Sequence, residues 1–171
     1  MSSVLLSILA VALMPSSPDL GKAEGQCRAK EAGPAFMVDV DGLKDRQGML
    51  KLELYPAHDE DFLVDKNILL SQGKTLRRVE MPVPQTGTPH LCIRAPAPGV
   101  YALMLLHDRD SNRKLTMSKD GVGFPNNPKL GWSQPKVGKV SALVTTGITE
   151  LHIIMNYNKG FYTFRPLKER D

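Results

Sequence analysis

The chain has 171 residues, 42% of them apolar and 23% charged, with 14 Gly and 13 Pro and a formal net charge of +4. That is the make-up of a folded globular domain, and it excludes a disordered, collagen-like or coiled-coil chain. The longest apolar run, Val4–Met14, is far short of the ~20 residues that a helix needs to cross a bilayer, so a multi-pass helical membrane protein is excluded too.

In chain order, Val4-Leu5-Leu6 and Ile8-Leu9 continue through Ala10–Met14 and then meet Pro15-Ser16-Ser17-Pro18. This resembles the apolar core of a secretory signal peptide, although no Lys or Arg precedes it and Ala10-Val11-Ala12 falls early for a cleavage site. The alternative is a first core strand or helix, which packs poorly when it runs straight into Pro and Ser. The expected organisation is a signal peptide or disordered segment over 1–25, one domain over 26–167 and a charged tail over 168–171, with the protein periplasmic or secreted. Cys27 and Cys92 are the two cysteines. In an exported chain such a pair reads as a disulfide, which would close a long loop and restrict the unfolded chain by ~4 kcal/mol. The alternative is two separate buried thiols. Without a CxxC pair a structural zinc site is set aside.

Beyond Cys27 the dominant period is two. Phe36, Val38 and Val40 alternate with polar neighbours, as do Leu50, Leu52 and Leu54, and the polar turn Lys44–Gly48 between them predicts a hairpin. Asp59–Gly73 is the best helix candidate. Strands follow at Leu76–Val83 and His90–Ala95, then the turn Pro96-Ala97-Pro98-Gly99, then Val100–Leu106, whose continuous apolar sequence predicts a strand covered on both faces. After a long irregular stretch come Lys139–Thr145 and Ile148–Tyr157, joined at Thr146-Gly147, and an edge strand over Phe161–Leu167. About seven strands with turns between them predict an all-β chain, a single antiparallel sandwich of immunoglobulin-like strand spacing with one long irregular loop. No Gly-rich phosphate loop opens onto a helix, so a nucleotide-binding α/β fold has no support.

The irregular stretch runs from His107 to Pro135, longer than a compact domain ordinarily carries unless the loop is functional or internally packed. Its residues are distinctive. Pro98-Gly99-Val100-Tyr101-Ala102, then His107-Asp108 with Asp110 and Asn112, then Gly121–Phe124 with Asn126–Pro128, and finally Asn156-Tyr157 resemble the bacterial family of uncharacterised exported proteins called DUF2141. Asp41-Gly42-Leu43 with Gly48 fits that family's opening hairpin, and the resemblance spans roughly Phe36–Tyr157. It implies a secreted or periplasmic β-sandwich of prealbumin-like type with no established activity, and it supplies no catalytic residues.

Asp108, Asp110 and Asn112 imitate the first three oxygen ligands of a twelve-residue calcium loop. Arg113 stands where that loop needs Gly and Lys119 where it needs Glu, with Asp120 one residue late. The competing reading is that these side chains hydrogen-bond their own backbone as Asx turns. Between Asp108 and Lys139, Arg109, Arg113, Lys114, Lys119, Lys129, Lys136 and Lys139 stand against Asp108, Asp110 and Asp120, a surplus that favours an anionic partner over a cation. The candidate partner is an anionic envelope component or glycan, and the alternative is a solvated loop that its lysines keep soluble, with no partner. Nucleic acid is set aside because the 6% of aromatic residues do not interleave with the basic ones. Trp132, the single tryptophan, lies near Asn126 and Asn127; exposed, it could stack on a sugar ring, and buried, it anchors the loop.

Catalysis needs a constellation. His58, His90, His107 and His152 share no metal-binding spacing; His90 and His152 read as sheet-face residues, and His107 beside Asp108, at the rim of the sandwich, is the best acid–base or ligand candidate. Three functions follow: an exported non-catalytic module of the cell envelope working through 108–135, with no cofactor; a metal-assisted enzyme centred on His107 and Asp108; and a calcium-stabilised module. A fold in which His107 packs under the loop and Asp108 caps backbone N–H groups disfavours the last two.

Overall fold

The computed structural model of the protein describes residues 19–161 and 163–167. The signal-peptide reading of the first seventeen residues and the tail at 168–171 lie outside the described residues. Asp19–Gly25, which the sequence places ahead of the domain, packs onto it.

Period-two alternation becomes two packed sheets. Among the described residues there are ten strands, β1 (Ala35–Asp41), β2 (Met49–Pro56), β3 (Arg77–Pro82), β4 (His90–Arg94), β5 (Gly99–Asp108), β6 (Gly121–Gly123), β7 (Ser141–Val144), β8 (Ile148–Ile154), β9 (Asn156–Asn158) and β10 (Phe164–Pro166), with two short helices, α1 (Lys22–Gly25) and α2 (Lys66–Ser71). A three-stranded sheet runs β4-β1-β8. A seven-stranded sheet runs β10-β9-β6-β5-β2-β3, and β7 pairs with the first half of β5 on the side where β6 pairs with the second. The chain is therefore an all-β sandwich.

Phe36, Val38 and Val40 of β1, with Leu91, Ile93 and Ile153 from its neighbours, face Leu50, Leu52, Leu54, Leu103 and Leu105 across the gap between the sheets. Burying each such side chain contributes about 1.5–3 kcal/mol. The far face of the larger sheet carries a second apolar layer, where Tyr55, Ala102, Leu106 and Val122 pack under Phe62, Leu69, Phe124 and Val140. That double cover explains the continuous apolar sequence of β5.

The structure corrects the expected strand plan in four places. β1 and β2 are not a hairpin: they lie in different sheets, because the long connection Gly42–Gly48 carries the chain across the sandwich, and Gly48 sits at φ 73° with its α-carbon so close to the Asp108 carbonyl that a Cβ would lie 2.1 Å from that oxygen. The sandwich is not purely antiparallel, since β1 pairs with β8 in parallel. The run Ile148–Tyr157 bends at Met155 from the small sheet into β9 of the large one, where the Asn156 amide donates to the carbonyls of Val122 and Ile154. The helix is only α2: the Asp65 carboxylate caps it by accepting from Asn67 N at 2.9 Å, and Asp59–Val64 instead turns inward to bury Phe62.

Cys27 and Cys92 form a disulfide across 65 residues, and Gln26 bridges to Ile93 beside it. The segment around α1 is thereby held against β3 and β4, with Gly21 O accepting from Arg78 N at 2.9 Å. No helix among the described residues is long and apolar enough to cross a membrane.

Candidate functional site

At its end β5 still alternates, so His107 follows Leu103 and Leu105 onto the inner face, where it is fully buried and not at a rim. Its Nε2 lies 2.8 Å from Gln47 O, which can only accept, so Nε2 carries the proton and Nδ1 accepts from the Tyr157 hydroxyl at 2.6 Å. Tyr157 Oη in turn accepts from Lys44 N at 3.0 Å. Burial lowers the His107 pKa and raises that of Tyr157 to about 12. Both ring nitrogens are engaged, which makes His107 the clasp between β5, β9 and the 42–48 connection.

Asp108 begins the loop and braces it. Its two carboxylate oxygens accept from Asn112 N at 3.1 Å and Arg113 N at 2.7 Å. Asp120, which the sequence leaves as a near miss for a calcium ligand, closes the loop in the same way, accepting from Arg109 N at 2.9 Å and Thr116 N at 2.7 Å. Asn112 accepts from Lys114 N and donates to Thr116 Oγ1, both at 2.8 Å. Carboxylate oxygens of Asp108, Asp110 and Asp120 lie within 4.8 Å of one another, the first and last buried and Asp110 exposed. Burial raises the Asp108 pKa against the opposing pull of the Arg113 and Asn112 N–H groups, whereas the Lys119 ammonium, 3.1 Å away, lowers that of Asp110. The chemistry is that of a self-capped turn, with a lysine already beside the outermost carboxylate.

Two further anchors were out of reach of local sequence. Arg109 pairs with Asp45 of the 42–48 connection; burial pushes the Asp45 carboxyl up, but the guanidinium and the Gln47 N–H more than offset it and leave it lowered. Lys51 reaches from β2 to donate to Arg113 O at 2.9 Å. Beside it on the same face is the buried Glu53, which accepts from Arg78 Nε at 2.9 Å and Tyr55 Oη at 2.7 Å and pairs with Lys66 at 3.1 Å. Burial pushes Glu53 up, yet Lys51, Lys66 and Arg78 hold it below the usual carboxylate range.

After β6 the chain turns at Phe124-Pro125-Asn126-Asn127, with Asn127 N donating to Phe124 O at 3.2 Å and Asn126 at φ 61°. Pro followed by a residue of positive φ is the type II signature. Both asparagines then act as side-chain ties. Asn126 Nδ2 donates to Ser141 O at 2.9 Å, and Asn127 brackets β8, donating to His152 O at 2.9 Å and accepting from Ile154 N at 2.7 Å. Just past them a cleft of about 400 Å³ opens, lined by Lys129, Leu130, Ile154, Phe164 and Arg165 among others. Trp132 follows with 80% of its surface exposed. It is not the loop's anchor; Gln134, donating to Phe62 O at 2.9 Å, serves there.

Of the predicted site residues, the structure thus brings His107, Asp108, Asp110 and Asn112 together at one end of the stretch; Asn126 and Asn127 instead tie the turn after β6 to Ser141 and β8, and Trp132 stands exposed further along the chain. Against models of known families, residues 38–152 match DUF2141, an uncharacterized protein conserved in bacteria. The chain belongs to DUF2141. No curated protein and no solved structure matches it. The DUF2141 match takes in His107, the braced loop and Trp132, while Ile154, Phe164 and Arg165 of the cleft lie beyond it.

Proposed function

We propose that this DUF2141 protein is an exported, non-catalytic module of the bacterial cell envelope whose working surface is the second half of the 108–135 stretch, where it takes an acidic glycan. The observation that carries this reading is the exposure of Trp132: a large apolar ring left in water two residues along the chain from Leu130 of the cleft has little packing role, and its flat face suits the apolar face of a sugar. Charge supports the anionic preference. Arg109, Lys119 and Lys136 have acidic partners, whereas Lys129, Lys139 and Arg165 have none among the described residues. The disulfide supports export, because such bonds persist in oxidising compartments. The buried, doubly bonded His107 and the backbone-capping Asp108 and Asp120 support bracing roles, not catalysis or calcium binding.

Calorimetric titration with oligogalacturonate, and with a neutral glucan of equal length, tests this. The acidic oligosaccharide is expected to bind, at least tenfold more weakly to Trp132→Ala and to Lys129→Ala/Arg165→Ala, and more weakly at high salt. Equal binding of both sugars, or binding indifferent to Trp132, would contradict it.

A further inference from the structure

Outside that surface, the exposed face of the three-stranded sheet carries two histidines and two aspartates in register. Outward side chains on β1 are Met37, Asp39 and Asp41; the residue across from Asp39 on β4 is His90, and on β8 it is His152. One row therefore reads His90–Asp39–His152, and Asp41 stands two residues on along the middle strand. His90 Nδ1 lies 2.5 Å from Asp39 Oδ1, and His152 Nε2 lies 2.9 Å from Asp41 Oδ2. All four side chains are roughly half exposed.

The geometry points to a binding site for one divalent transition-metal ion, Cu²⁺ or Zn²⁺, held by His90, His152 and a carboxylate of Asp39. Three features argue for it. The two histidines flank one intervening strand, so their α-carbons are roughly 10 Å apart, a span that two imidazoles leaning over the middle strand close around an ion. Each imidazole pairs with a carboxylate through one ring nitrogen and keeps the other without a hydrogen bond among the described residues, so each has a nitrogen lone pair to offer an ion. The donor set of imidazole plus carboxylate suits a borderline transition ion and not calcium. Glu150, on the same face two residues before His152, adds negative charge, and no Lys or Arg stands in the rows of Met37 and Asp39. The nitrogens and oxygens do not converge on one point in the ion-free structure, so binding exchanges the His90–Asp39 and His152–Asp41 pairs for metal bonds by rotation of these half-exposed side chains.

The test is titration of the oxidised full chain with Zn²⁺ by calorimetry and with Cu²⁺ by electron paramagnetic resonance. One ion per chain and hyperfine splitting from two imidazole nitrogens are expected. His90→Gln and His152→Gln should each weaken binding at least tenfold and the double variant abolish it, with thermal stability of the ion-free protein unchanged. His58→Gln, on an exposed loop, serves as the control and should bind like the parent. Absence of binding, binding retained by the double variant, equal loss in His58→Gln, or displacement of the ion by Ca²⁺ at the Asp108–Asp110–Asp120 cluster would each overturn the proposal.

Discussion

His107 and Tyr157 hold the long stretch to the sandwich with one shared proton. Removing the hydroxyl in Tyr157→Phe leaves His107 Nδ1 without its donor and Lys44 N–H without its acceptor; each unsatisfied buried group costs about 1–3 kcal/mol, which urea denaturation would register. The pair also sets a pH window. Because burial depresses the His107 pKa below 6.5, the unfolded chain takes up that proton first, so its contribution to stability is whole above 6.5 and is lost as pH falls toward the folded value. For Tyr157, raised from 10.0 to about 12, the unfolded chain ionises first, so stability falls between those two values. His107→Gln should flatten the acid limb of a plot of unfolding free energy against pH, and an unchanged limb would assign the loss to other groups. The capping role of Asp108 was one of the readings open in the sequence, because its Asn112 and Arg113 partners lie four and five residues on; the burial of His107 was not legible, because Tyr157 and Gln47 lie 50 and 60 residues away.

Elements were read best where alternation is long. β1 to β4 are each visible in the sequence because their inward residues are apolar at period two, and β5 because it is apolar on both faces. Alternation says which face is buried and not which strand is the partner, so the hairpin of β1 with β2 was the wrong pairing. β6 escaped notice because two of its three residues are glycines. Their reason is steric: a Cβ on Gly121 would lie 2.4 Å from the Tyr157 ring, and one on Gly123 would lie 2.5 Å from Ile153 Cγ2. Gly121→Ala is therefore expected to displace Tyr157 from His107 and destabilise the fold by about 1–3 kcal/mol, seen as a lower thermal midpoint together with faster hydrogen exchange at Lys44. An alanine tolerated without either change would mean that the Tyr157 ring shifts freely.

At the scale of the whole molecule, the sandwich is a scaffold that exposes one tryptophan and one row of imidazoles while burying the residues that looked catalytic. The 65-residue loop closed by Cys27 and Cys92 should make the oxidised protein about 4 kcal/mol more stable than the reduced one on the chain-entropy estimate, measurable as a difference in denaturant midpoint with and without a reducing agent. Binding is the claim on which the account turns, and the chain carries its own reporter, because Trp132 is its single tryptophan. The direct measurement is Trp132 emission during titration with oligogalacturonate. A saturable change in emission is expected, with a midpoint that moves to higher ligand concentration as salt is added. Emission that stays that of a free, water-exposed indole at every concentration would contradict it.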